Sequence, residues 1–303
     1  MGINDDADLD TSQVQDLRGS GGGGGGFGRL PGGGFTAGGG IIGLIVVVVL
    51  GILGGTGHLG IGGGDTQSGT DLRQTCSTAN PDRFERTDCR NVLYVNSVQA
   101  YWRQALPRTF GATYRTAPTR FFSQVVQTGC GQADSGVGPF YCPPDGAVYI
   151  DLTFYDQLAG QQFGAPGQFA QAYVLAHEYG HHVQSLLGTE RKVREAQQRD
   201  PGNANRYSIA LELQADCFAG VWAKHAAQTT DEKGNQLFTG VSATDIDQAL
   251  TAAQSVGDDT IQRKATGDID QETWTHGSGE QRRHWFTTGY QTGDAKSCRT
   301  FSS

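Results

Sequence analysis

His177-Glu178-Tyr179-Gly180-His181 constrains this chain more than any other stretch. Histidines four residues apart lie one turn apart on the same face of a helix. The surrounding run, residues 170–187 (AQAYVLAHEYGHHVQSLL), sets Ala, Tyr, Val and Leu at helical spacing, so the spacing predicts a helix that is largely buried. Gly188 follows as a C′ residue. A histidine pair inside an apolar helix needs a buried partner, and a metal is one. Two imidazoles in this geometry can close on one Zn²⁺ at about 2.0–2.1 Å each. Glu178 then projects toward the open side of the metal, where it can take a proton from a zinc-bound water. The plainer reading is a polar helix face that happens to carry two histidines; the apolar context disfavours it. His182 lies about 100° further round the helix and is not counted as a ligand.

A site of this kind needs a third protein ligand and an open fourth position. One known pattern puts a histidine six residues beyond the second, but Leu187 stands there. The alternative is a glutamate on a following helix. Residues 207–227 read as helical and carry Glu212 and Asp216, again four apart and on one face. Glu212 can complete the zinc shell. Asp216 can accept the outer N–H of a histidine ligand and fix its tautomer. A solvated acid pair is the bland alternative. Leu211, Leu213, Ala215, Cys217, Phe218 and Trp222 argue instead for a buried helix, where unpaired carboxylates are costly. Glu190 and Glu195 are weaker ligand candidates, because TERKVREAQQRD reads as exposed.

HEYGHHVQSLLG, ELQADCFAGVWA and THGSGEQRRHWF together resemble the neutral zinc metallopeptidase family of bacteria. The pattern HExxH then ExxAD is similar to gluzincin-type membrane peptidases. GPFYCPPDGAVYIDL and the N-terminal layout extend the resemblance over nearly the whole chain. It implies an α+β fold: a mainly helical, zincin-like metallopeptidase domain with a small β-sheet. It also implies zinc on His177, His181 and Glu212, Glu178 as the base, and a peptide or protein substrate. The related membrane peptidases carry a late Thr-His-Pro element, whereas here Thr275-His276 is followed by Gly277. His276, in the loop before the last helix, is a candidate catalytic donor to an oxyanion, and Tyr207 is a second. A surface loop histidine and a packing tyrosine are the ordinary alternatives. Arg282 and Arg283 can satisfy buried carboxylates.

The rest of the chain sets the frame. A net charge of −8 argues against a nucleic-acid partner. Residues 1–17 are polar and acidic and read as disordered, and Gly19–Gly40 reads as a flexible linker. The most apolar run is Ile41–Leu53, with no charged residue from Phe35 to Gly64. A buried strand and a cleaved signal peptide are alternatives; a single uncleaved transmembrane helix fits the glycine-rich flanks better. The expected organisation is therefore a disordered segment over 1–36, a transmembrane helix over 37–57, a linker over 58–71 and a metallopeptidase domain over 72–303. Arg18 and Arg29 precede the run and Arg73 is the first positive residue after it, which favours a cytoplasmic N-terminus. All six cysteines follow the run, as expected of a domain on the oxidising, extracytoplasmic side of the cell membrane. Sequence-local pairing gives Cys76–Cys89 and Cys130–Cys142, leaving Cys217–Cys298; this is one of fifteen connectivities, and reduced buried cysteines are the alternative.

Within the domain, Asp88–Leu106 reads as a helix ended by Pro107, with extended runs at 112–115 and 120–127. PPDG predicts a hairpin over 140–152, whose strand around Val148–Asp151 is either an open edge for a substrate peptide or part of an ordinary hairpin packed on the core. Ser242 or Thr244 can cap a further helix, and Glu280–Tyr290 forms the last one. Three readings remain: a membrane-anchored zinc endopeptidase, a non-catalytic, zinc-stabilised, membrane-tethered scaffold, and a latent protease that acts only within a complex. Glu178 separates the first two, since a purely structural site needs no base.

Overall fold

A computed structural model describes residues 1–19 and 71–301. Their order is β1 (Gly2–Ile3), β2 (Val14–Asp16), α1 (Leu72–Thr75), α2 (Thr87–Phe110), β3 (Thr119–Phe122), β4 (Val125–Thr128), β5 (Gly131–Asp134), β6 (Phe140–Cys142) and β7 (Ala147–Asp151). There follow α3 (Phe154–Ala159), α4 (Gln168–Leu186), α5 (Thr189–Arg199), α6 (Ala204–His225), β8 (Phe238–Gly240), α7 (Ala243–Ser255), α8 (Asp258–Ala265) and α9 (Gly279–Thr292). This is the mainly helical α+β architecture with small sheets. The expected transmembrane helix, with Ile41–Leu53, lies outside the described residues. Among the described residues no helix is long and apolar enough to cross a membrane.

Helix α4 is the centre of the packing, touching α6, α7 and α2 and receiving β6 and β7 of the sheet. Its apolar residues are buried nearly all round, from Phe169 to Val183. Gly188 ends it at φ 70, a left-handed conformation that suits glycine. Gly180, inside the histidine motif, sets the approach of α6: a Cβ there would lie 2.9 Å from both the Cα and the carbonyl oxygen of Ala215. Helices α6 and α9 meet in the same way. A Cβ on Gly220 would fall 2.0 Å from the Phe286 oxygen, and one on Gly289 would fall 2.0 Å from the Cys217 oxygen. Large aromatics fill the space beyond, with Phe169 stacked on Trp222 and Trp102 edge-on to Phe218.

The four-stranded sheet has the order β2-β3-β7-β6; β7 runs parallel to β3 and antiparallel to β6. The expected hairpin over 140–152 is therefore present, but its strand β7 is not an open edge. It is flanked on both sides and every residue of it is buried. The edge on the α4 side is β6. Residues 120–127 form two strands rather than one run, broken at Ser123-Gln124, where Gln124 takes φ 66 and donates its N–H to Asp151. Residues 112–115 form no strand. Pro107 does not end α2. The helix continues to Phe110, because a proline forfeits only its own N–H while its carbonyl still accepts from Gly111.

Residues 1–17 are ordered, which corrects the disorder expected from their composition. The segment buries only a few side chains, Ala7 and Val14 among them. Its main chain is tied down instead: β1 pairs with β8 and β2 pairs with β3. The acidic residues that suggested disorder cap turns and bind arginines, as Asp10 does for Ser12 N–H and Asp16 for Arg18. Ser242 caps α7 in a reciprocal capping box with Asp245. The disulfides are Cys76–Cys89, Cys130–Cys142 and Cys217–Cys298, the pairing read from sequence.

Candidate metal centre

The close contact at Gly180 brings three donors to one point. His177 Nε2 lies 3.2 Å from His181 Nε2 and 3.2 Å from Glu212 Oε2, and His181 Nε2 lies 3.3 Å from Glu212 Oε1. Tetrahedral zinc with bonds of about 2.0–2.1 Å holds its donors about 3.3 Å apart, so the spacing fits. The group has three members among the described residues, and it opens on a cavity of about 170 Å³ that Glu178 and His276 also line.

The outer nitrogens fix how the two rings present themselves to Glu212. His177 Nδ1 sits 2.9 Å from Asp216 Oδ1, and Asp216 accepts only, so Nδ1 carries the proton. His181 Nδ1 sits 2.9 Å from Gln184 Oε1. The Gln184 amide nitrogen donates to the Leu211 carbonyl at 2.7 Å, which fixes the oxygen toward the ring. Both neutral rings therefore aim Nε2 lone pairs at the Glu212 carboxylate. Only protons or a metal ion can reconcile such a set.

The titration behaviour follows. Burial disfavours the His177 cation, but Asp216 and Glu212 outweigh it and lift the ring to about 10. Burial likewise opposes the His181 cation, and Glu212 reverses it, so His181 is raised. Glu212 is driven well below the usual carboxylate range, because the two imidazoles overcome the effect of burial. Asp216 is wholly buried; it is held down, against burial, by Arg282 and His177. It accepts the Tyr173 hydroxyl at 2.6 Å and the Arg282 guanidinium at 2.8 and 3.0 Å. Burial pushes Glu178 above its ordinary value, opposed by His177 and His181 and by a hydrogen bond from the Tyr141 main chain.

A second carboxylate–imidazole pair places its imidazole, His276, in the wall of the same cavity. Asp258 Oδ1 lies 3.0 Å from His276 Nδ1. Its Oδ2 accepts the main-chain N–H groups of Thr275, His276 and Gly277 at 2.8, 2.7 and 3.0 Å. Burial would raise Asp258, but His276 outweighs it and the carboxyl stays low. The departure from Thr-His-Pro now has a physical reason. Gly277 supplies one of these N–H groups and stands at φ 91, and proline can do neither.

Other candidates fall elsewhere. His182 is no ligand: its Nε2 contacts the Arg115 carbonyl at 2.6 Å and its Nδ1 the Tyr141 hydroxyl at 3.1 Å. Tyr207 binds Asp200 and does not line the cavity. Glu190 is buried and lines the cavity, yet it pairs with Arg194 and stands outside the donor cluster; Glu195 is exposed. Arg282 does satisfy a buried carboxylate, whereas Arg283 binds Gln254 at the surface. Gln184, Tyr173 and Asp258 were not singled out in the sequence. Gln184 had a usable signal, three residues beyond His181 on the same helix face. Asp258 had none, since its partner is eighteen residues away across a loop.

The chain matches a family described as "Putative neutral zinc metallopeptidase" over residues 6–301, a span that begins inside the N-terminal segment. The uncharacterized protein YpfJ of Escherichia coli strain K12 is 41% identical over 296 residues, 96% of each chain. The uncharacterized protein Rv2575 of Mycobacterium tuberculosis strain H37Rv is 47% identical over 236 residues, 78% of this chain and 77% of the relative. No solved structure matches. With nearly its whole length inside that match, the chain belongs to the neutral zinc metallopeptidase family.

Proposed function

We propose that this protein is a zinc-dependent endopeptidase with Glu178 as general base and His276 as oxyanion donor. The observation that carries the reading is the three-donor face, spaced at 3.2–3.3 Å, opening on a cavity shared with Glu178 and His276. A zinc ion on His177, His181 and Glu212 supplies Lewis acidity and lowers the pKa of water there. Glu178 takes the proton from the attacking water and returns it to the leaving amine. A carboxyl raised by burial suits both transfers near neutrality. Asp258 binds His276 at Nδ1 and orients the ring, which leaves Nε2 as the ring nitrogen to meet the developing oxyanion. Asp216 and Gln184 hold the two metal-binding imidazoles in the Nδ1–H tautomer.

The substrate backbone fits β6. Among the described residues this strand pairs only with β7, and Phe140 and Tyr141 line the cavity. An extended peptide adds to that edge through main-chain hydrogen bonds, in place of the β7 edge that the sequence offered as one reading. Phe154, Phe163, Val174, Val256 and Ile261 form an apolar part of the wall, which supports a large apolar side chain beside the scissile bond. Three disulfides favour work in an oxidising compartment outside the cytoplasm.

Glu178→Gln is the test. Peptide turnover should fall by about 10²–10⁴-fold while bound zinc is unchanged. Turnover retained in that variant would remove Glu178 from the mechanism. No turnover in wild-type protein that holds zinc would favour the scaffold reading.

A further inference from the structure

The N-terminal segment is part of the folded domain rather than a tail beside it. Arg83 is 2% exposed, and its guanidinium donates to the carbonyls of Asp5 and Ala7, both at 2.7 Å, and of Cys76 at 3.2 Å. Two of those three acceptors come from the segment, and without them a buried cation would lose most of its partners. Asn96 and Asp10 exchange a pair of bonds at 2.9 and 3.0 Å, and Gln99 donates to Gln13 at 2.8 Å. Arg18 reaches Asp88 at 3.1 Å. Asn4 binds the Leu237 and Gln236 carbonyls at the β8 side. β2 covers an edge of β3 that would otherwise be open, and β3 leads through β7 to β6 at the metal centre.

We infer that residues 1–19 and 71–301 lie on one side of any membrane this chain meets. The surface along α2, β3 and β8 is an intramolecular docking site for the N-terminal segment. A single crossing between residues 19 and 71 would put about 30 Å of hydrocarbon between groups that the structure holds within hydrogen-bonding distance. The arrangement of a cytoplasmic N-terminus and an extracytoplasmic domain, expected from the charges around Ile41–Leu53, is incompatible with the docked segment. The positive-inside bias behind that expectation rested partly on Arg18, which the structure engages with Asp16 and Asp88.

The test uses the full chain in cells. Ser12→Cys and Thr251→Cys each add one exposed thiol, while the six native cysteines are tied up in disulfides. Each variant is treated with a membrane-impermeant maleimide in intact spheroplasts and again after permeabilisation. Matching behaviour is expected: both sites react in intact spheroplasts, or both react only after permeabilisation. One site reacting in intact spheroplasts while the other needs permeabilisation would overturn the inference. A second variant guards against misfolding. Gln15 and Arg120 are register partners whose side chains touch at 2.8 Å. Gln15→Cys/Arg120→Cys should be bridged by a short bis-maleimide in the native full-length protein, and no bridge in a chain that keeps its disulfides would overturn it equally.

Discussion

Each imidazole of the candidate metal pair has its outer nitrogen committed, His177 to Asp216 and His181 to Gln184. Their neighbour His182 shows the opposite solution. Its Nε2–H donates to the Arg115 carbonyl and its Nδ1 accepts from the Tyr141 hydroxyl, so the neutral ring is fully satisfied. Burial lowers its pKa to about 4 from the usual 6.5. A histidine with a depressed folded pKa stabilises the native state fully above the unfolded value. Below about pH 6.5 the unfolded chain takes up a proton that the native ring refuses, so stability falls toward pH 4. The loss from this ring is about 3 kcal/mol over that window. Urea midpoints for wild type and His182→Gln should therefore diverge at pH 7 and converge toward pH 4; parallel pH profiles would contradict the assignment. At this scale the sequence was informative wherever helix geometry alone places side chains together. His177, His181, Glu212 and Asp216 are of that kind, because a spacing of four puts each pair on one face. Asp258 was silent, since a loop rather than a helix brings it to His276.

Helices α4 and α6 approach so closely at Gly180 and Ala215 that a single methyl decides their separation. Gly180→Ala must move backbone, not a flexible side chain, and should destabilise the fold by about 1–3 kcal/mol. It should also weaken zinc binding, because Glu212 rides on α6 and the histidines on α4. Chelator competition and thermal unfolding read the two effects separately; unchanged values in both would mean that the contact does not set the metal geometry. The helices themselves were legible, because their apolar periodicity is strong and their glycines sit at ends or contacts. Strand partners were not. PPDG announced the β6–β7 hairpin, but nothing local in the sequence says that β3 lies on the far side of β7 and closes that edge. Likewise Val14–Asp16 is too short to read as a strand until β3 is beside it.

On the scale of the whole molecule, distant parts of the chain converge on the two helices of the candidate metal centre. Cys217–Cys298 ties α6 to the C-terminal segment across 81 residues, and the N-terminal segment braces the sheet that ends at β6. Acidic composition hid that brace, because composition reports side-chain burial and the segment is held mainly through its backbone. Preparations that begin after the apolar run would remove it, so the decisive measurement belongs on the full chain. That measurement is zinc per chain, by elemental mass spectrometry, for wild type beside Glu212→Ala, each with its disulfides intact. About one zinc per wild-type chain is expected, with a clear loss in the variant. Folded wild-type protein without zinc, or a Glu212→Ala variant that keeps it, would contradict the three-donor centre.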